Sequence, residues 1–104
     1  MIQSDLERIF ARPGINWEEI GKNIKEGRAL RGCSQASLIN QLNGAKGLLY
    51  KYESGKQPIS AQNMLRIMKI LNLPFEWFIG VNKVKRRIKK ERLDYINALR
   101  KMIL

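Results

Sequence analysis

SQASLINQLNGAKGLLYKYESG, residues 34–55, is the stretch that decides the fold. Ser34 can cap the free N–H groups of a helix that follows it, and Leu38 and Leu42 give that helix one apolar side. Asn43-Gly44 interrupts the pattern with two residues that tolerate a left-handed backbone. A second helical pattern follows and ends near Gly55, because glycine commonly stands just past a helix end. Its apolar positions are Leu48, Leu49 and Tyr52. The stretch therefore predicts two short helices joined by a tight turn.

Two helices joined in this way form a helix-turn-helix, which presents its second helix to a DNA groove. Residues 20–79 resemble the lambda-repressor-like (Xre/Cro) helix-turn-helix family. The residues that carry the resemblance are Ile20, Gly21, Ile24, Arg28, Gly32, Ser34, Gln35, Leu38, Leu42, Tyr52-Glu53-x-Gly55-Lys56, Leu65, Leu71 and Leu73. The resemblance implies a compact all-α domain of five helices that binds duplex DNA as a transcriptional regulator of the phage-repressor type. It also implies a homodimer on a palindromic operator.

The resemblance also implies roles for individual side chains. The positions that face bases are Lys46, Gly47, Tyr50 and Lys51. The positions that face phosphates are Ser34, Gln35 and Lys56. In the family, the arginine matching Arg28 commonly pairs with the glutamate matching Glu53, which ties the first helix of the domain to the end of the recognition helix.

The recognition helix is expected over about residues 45–54. Ala45 stands where the family usually carries a Ser/Thr cap, and Gly47 falls in the first turn. Both substitutions weaken a helix start, each by about 1 kcal/mol. We therefore expect this helix to start loosely in the free protein.

The net charge of +11 is unevenly distributed along the 104 residues. Residues 81–104 carry a net charge of +7, and Glu53 is the only acid between Gly27 and Phe75. This distribution favours a polyanionic partner, and duplex DNA is the first candidate.

The composition gives no support to catalysis. The chain has no histidine, the usual general base and a common metal ligand, and it shows no paired carboxylates or nucleophile–base spacing. We therefore expect neither an enzyme nor a bound metal or cofactor. Cys33 is the single cysteine, which is typical of a reducing cytoplasm. No apolar run approaches the roughly 20 residues that span a bilayer, and the N-terminus does not resemble a secretory signal.

The chain divides into three parts. Residues 1–15 form an N-terminal extension in which Ser4 is expected to cap a short helix over residues 5–11. Residues 16–80 form the helix-turn-helix domain, whose first helix begins after Asn16 and runs to about residue 30 or 31. Gly27 lies on the inner side of that helix, and we expect Phe10 or Trp17 to fill the gap it leaves.

Residues 81–104 predict a basic amphipathic helix beyond the family's minimal domain. Its apolar stripe consists of Val81, Val84, Ile88, Tyr95, Leu99 and Met102. The stripe can pair with a second copy or fold back on Leu6, Ile9 and Phe10, and the basic side can lie along flanking phosphates. An alternative function is the antitoxin of a toxin–antitoxin pair, in which this helix binds a toxin. A membrane-surface role ranks last, because the stripe contains neither Trp nor Phe.

Overall fold

The computed structural model describes residues 1–45 and 47–103, a range that contains seven helices and no strand. The expected all-α class is therefore confirmed. The helices are α1 (Gln3–Phe10), α2 (Trp17–Arg31), α3 (Gln35–Gln41), α4 (Leu48–Glu53), α5 (Ala61–Leu71), α6 (Phe75–Phe78) and α7 (Asn82–Ile103). Helices α3 and α4 are the two members of the helix-turn-helix.

Two helices, α2 and α3, begin as the sequence predicts, and α5 begins in the same way. In each, a side-chain oxygen at the cap accepts a hydrogen bond from the backbone N–H three residues further on. The accepting atoms are Asn16 Oδ1 at 3.0 Å, Ser34 Oγ at 3.1 Å and Ser60 Oγ at 3.1 Å. A cap of this kind depends only on neighbouring residues, so the starts of α2, α3 and α5 follow from local sequence.

The prediction for α1 is wrong in its start. The helix begins at Gln3, so Ser4 lies inside it. The reason is that Asp5 Oδ2 accepts from the backbone N–H of Ile2 at 3.1 Å and satisfies the helix end from within. Leu6 is fully buried and α1 packs against α5, so the extension covers the domain itself.

The prediction for the gap at Gly27 is also wrong. Phe10 and Trp17 contact each other edge to face, with ring centroids 4.9 Å apart. The space beside Gly27 is occupied by Leu73 and Trp77 instead. A Cβ placed on Gly27 would lie 2.7 Å from Leu73 Cδ1 and 3.1 Å from Trp77 Nε1, so glycine allows α2 and α6 to approach closely.

A fully buried asparagine, Asn23, joins α2 to α6 and α7. Its backbone oxygen accepts from Trp77 Nε1 at 2.9 Å, and its Nδ2 donates to the Phe78 carbonyl at 2.9 Å. Its Oδ1 accepts from Lys85 Nζ at 2.9 Å, and Lys85 also pairs with Glu26 at 2.6 Å. A buried polar group needs such partners, so these bonds fix where α7 leaves the domain.

The first half of α7 folds back, but not onto Leu6, Ile9 and Phe10 of α1. It contacts α6 and bonds to α2, and Ile88 is buried in this contact. Its second half extends outward and contributes to dimensions of 50 × 30 × 22 Å. The large apolar side chains exposed there are Leu93, Tyr95, Leu99, Met102 and Ile103.

Candidate nucleic-acid interface

An ion pair connects α2 to the end of α4. Arg28 Nε lies 2.6 Å from Glu53 Oε2, and Arg28 Nη2 donates to Glu53 Oε1 at 2.9 Å. The two side chains are 12% and 6% exposed, so the pair is nearly buried. The hydrogen-bonded Glu53 carboxylate raises the pKa of the Arg28 guanidinium against the opposing effect of burial. Arg28 Nη1 also donates to the Cys33 carbonyl at 3.1 Å, which reaches the start of α3.

Gln35 belongs to the same network. Its Nε2 donates to Glu53 Oε1 at 3.0 Å, so Glu53 accepts from both Arg28 and Gln35. The carboxylate therefore turns inward toward its donors, and the side chain of Gln35 is held at the junction of α3 and α4. The lone acid of the region is neutralised instead of facing a polyanion.

Close backbone contact between α2 and α4 sets the direction of α4. A Cβ on Gly21 would lie 2.2 Å from the Tyr52 carbonyl oxygen, a distance that no side chain permits. Tyr52 is buried, and its hydroxyl accepts from Asn63 Nδ2 at 2.9 Å. With Leu49 also buried, one side of α4 is pinned to the domain and the opposite side faces outward.

Tyr50 and Lys51 lie on that outward side. Tyr50 is 59% exposed, and Lys51 is exposed as well. The ammonium group of Lys56, which follows the helix, lies 5.2 Å from the centre of the Tyr50 ring. The outward side of α4 therefore presents one aromatic ring and two cations.

The start of α4 differs from the expectation. The helix begins at Leu48, and Gly47 is the residue that flanks it, with a φ of +90°. Ala45 is not the cap, and Gly47 is not within the first turn. Because Ala45 offers no capping oxygen, the helix starts only where glycine permits a left-handed backbone. Lys46, one of the expected base-facing residues, lies outside the described residues.

A helix-turn-helix family model matches residues 24–78, just over half of the chain. The chain belongs to the lambda-repressor-like helix-turn-helix family. No curated protein and no solved structure matches the chain. Since the lambda-repressor-like proteins are DNA-binding regulators and not an enzyme family, this chain is a DNA-binding helix-turn-helix regulator.

The surface next to the outward side of α4 includes one residue that the motif did not indicate. Lys25 of α2 lines an outward recess together with Gln35, Tyr50, Glu53 and Ser54. Lys25 is exposed and stands three residues before Arg28, so it shares a side of α2 with the residue that reaches α4. That spacing indicates the side of α2 on which Lys25 lies, but not its place beside Tyr50, which depends on how α2 crosses α4.

Ser34 is placed differently from the other expected phosphate contacts. Its Oγ accepts from the Ser37 N–H at 3.1 Å and so caps α3, while its hydroxyl proton remains available for a further acceptor. Gln35 and Lys56 lie next to the outward side of α4, and Lys51 lies on it.

Within residues 1–45 and 47–103, no helix has both the length and the apolar character needed to cross a membrane.

Proposed function

We propose that this protein is a sequence-specific transcriptional regulator of the repressor type, which inserts α4 into the major groove of its operator. The observation that carries the proposal is the outward side of α4, where Tyr50 and Lys51 are exposed while Glu53 is turned inward to Arg28. A major groove admits one helix and offers a distinct pattern of donors and acceptors for each base pair.

Each side chain then has a definite task. Lys51 donates to the O6 and N7 acceptors of guanine, and Tyr50 lies beside it against the base edges, with Gly47 just before the helix. The motif also assigns a base-facing role to Lys46. Ser34, Gln35 and Lys56 bind phosphates, which supply affinity and register but no sequence information. Lys25 adds a phosphate contact from α2.

Selection of binders from a random duplex library tests the proposal. We expect enrichment of a palindrome. In Lys51→Ala, specificity should relax at one position of each half-site, because a single base contact is lost. That contact contributes about 1–3 kcal/mol of discrimination against the wrong base. In Lys56→Ala, affinity should fall uniformly for all duplexes, and the salt slope should decrease by about 2, because each subunit of the proposed dimer loses one phosphate contact.

Lys69→Ala provides the matched control, since Lys69 is an exposed lysine in the last turn of α5, away from the motif. It should leave both the preferred sequence and the salt slope close to those of the parent. Retention of all duplexes without preference would contradict sequence-specific recognition.

We also propose that the outer half of α7 forms a homodimer, so that two copies of α4 meet two half-sites. The two halves of α7 differ in charge: residues 82–92 carry a net +6 and residues 93–103 a net +1. The exposed apolar residues fall in the second half, where two copies would repel each other least.

Light scattering on Leu99→Glu tests the dimer. Leu99 lies on the apolar stripe, so a buried charge there should yield a monomer. Asn97→Glu introduces the same charge on the opposite side of α7 and should leave the dimer intact. Dissociation in both variants would indicate a charge effect without a specific interface.

The antitoxin alternative rests on the same exposed apolar end of α7, which can accept a different protein. A parent protein that remains monomeric at high concentration, yet binds a palindrome only together with a second protein, would favour it over the homodimer.

A further inference from the structure

An apolar recess of about 280 Å³ lies between α3 and α4, next to the outward side of α4. Its lining residues in the described chain are Gln35, Ala36, Ile39, Gly47, Leu49 and Tyr50. Gln35 and Tyr50 are the only two of these residues with a polar side-chain group, and one N–H of the Gln35 amide is bonded to Glu53. The recess is therefore an apolar patch inside a polar, basic surface.

Gly47 adds no side chain to the recess. A Cβ built on Gly47 would meet nothing within 4 Å, and its φ of +90° disfavours any side chain there. Ala36 is exposed and contributes only a methyl group to the opposite wall. The site that offers no side chain for reading bases thus provides space for a group from the DNA.

Tyr50 lines both this recess and a second one that has a different set of side chains. The second recess is lined by Lys25, Gln35, Tyr50, Glu53 and Ser54, so its walls carry more polar and charged side chains than those of the first. A base edge lying against Tyr50 would therefore be near both an apolar recess and hydrogen-bonding groups.

The major groove contains one kind of apolar group. Guanine, cytosine and adenine present only donors and acceptors there, whereas thymine adds its C5-methyl group. Building on the proposed function, we propose that the recess between Ala36, Ile39, Gly47 and Tyr50 receives the C5-methyl group of a pyrimidine, carried by thymine or by 5-methylcytosine. The recess then determines specificity at one position of each half-site.

The test uses the duplex obtained by library selection. Each thymine is replaced in turn by deoxyuridine, which lacks only the methyl group, and binding is measured by fluorescence anisotropy. At one thymine of each half-site, affinity should fall by about fourfold, which corresponds to about 0.8 kcal/mol for one buried methyl-sized group. At the same position, a C·G pair should bind more weakly than a 5-methylcytosine·G pair, because the methyl group is read in either base.

A variant then assigns the effect to the recess. Ala36→Leu fills the space from an exposed position, so it should reduce the ratio of thymine to deoxyuridine affinity to about one. Gln41→Leu places the same side chain at an exposed position about 140° around α3 from Ala36, outside the lining of the recess, and should preserve the ratio. Equal urea unfolding midpoints for the parent and both variants verify that the domain is intact.

The outcomes distinguish this inference from the proposed function. A selected palindrome with no thymine sensitive to loss of its methyl group would overturn the recess as a methyl site and leave operator recognition in place. A sensitive thymine whose ratio is unchanged in Ala36→Leu would also overturn it. Failure to enrich any sequence would overturn both.

Discussion

Replacement of Glu53 by methionine should destabilise the domain strongly, although it changes one surface-adjacent side chain. In the parent, Glu53 accepts two hydrogen bonds from Arg28 and one from Gln35. Methionine has similar length but accepts none of them. The Arg28 guanidinium, 12% exposed, would remain in a nearly buried position without a counter-ion.

The magnitude follows from the cost of an unpaired buried charge, which is about 3–5 kcal/mol. We expect the lower end, about 3 kcal/mol, because Arg28 keeps its bond to the Cys33 carbonyl. For a domain of this size, such a loss lowers Tm by about 12–24 °C. Urea unfolding at 25 °C, followed by the fluorescence of Trp17 and Trp77, measures the free energy of unfolding directly.

The chain provides its own control for this experiment. Arg87 and Glu91 form an i,i+4 pair 3.9 Å apart on α7, with side chains 64% and 69% exposed. Because water screens this pair, Glu91→Met should change the free energy of unfolding by less than about 0.5 kcal/mol. The double variant Arg28→Met/Glu53→Met should be more stable than Glu53→Met, since it removes the unpaired charge. Two results would refute this reasoning. One is that Glu53→Met lowers the free energy of unfolding by no more than Glu91→Met does. The other is that the effects of Arg28→Met and Glu53→Met on the free energy of unfolding add up in the double variant.

Two further perturbations test how α2 holds its neighbours. Gly27→Leu should lower the free energy of unfolding by about 1–3 kcal/mol, because even a Cβ at Gly27 would lie 2.7 Å from Leu73, and a urea midpoint at or above that of the parent would contradict this packing. The second perturbation concerns Glu26. Burial alone would raise the pKa of its carboxyl, but the hydrogen bonds and charges of Lys85 and Lys89 lower this pKa below 4.5. The contribution of the Glu26 carboxylate to the free energy of unfolding is present above pH 4.5 and is lost as the pH falls through the lowered pKa. In urea titrations between pH 5 and 3, Glu26→Gln should therefore lose less stability than the parent. Parallel curves of stability against pH would exclude this contribution.

The parts of the fold that could be predicted from sequence are those decided by near neighbours. Asn16, Ser34 and Ser60 each cap a helix through a bond to a backbone N–H three residues away, so residue type and spacing suffice. The start of α4 depended instead on a missing cap, and the sequence pattern did not show at which later residue the helix would begin. In the structure, Gly47 flanks the helix and Leu48 is its first residue.

The packing around Gly27 could not be predicted, because it depends on the approach of two helices far apart in sequence. The pattern identified a missing side chain but not the occupants, Leu73 and Trp77, which lie more than 45 residues away. At the candidate site, the same limit applies to Lys25. Its place beside Tyr50 follows from how α2 crosses α4 at Gly21, a contact between backbones that no periodicity reveals.

The charge of α7 shows why a count of basic residues overstates affinity for DNA. Lys85 and Lys89 both pair with Glu26, so part of the basic charge is neutralised within the domain.

On α2, Gly21 contacts α4 and Glu26 contacts α7. These two positions are five residues apart, about 140° around a helix, so α4 and α7 meet different sides of α2. In the proposed complex, we therefore expect the remaining lysines and arginines of α7 to attract DNA from a distance, within the Debye length of about 10 Å at 0.1 M salt, and the side chains around α4 to enter the groove.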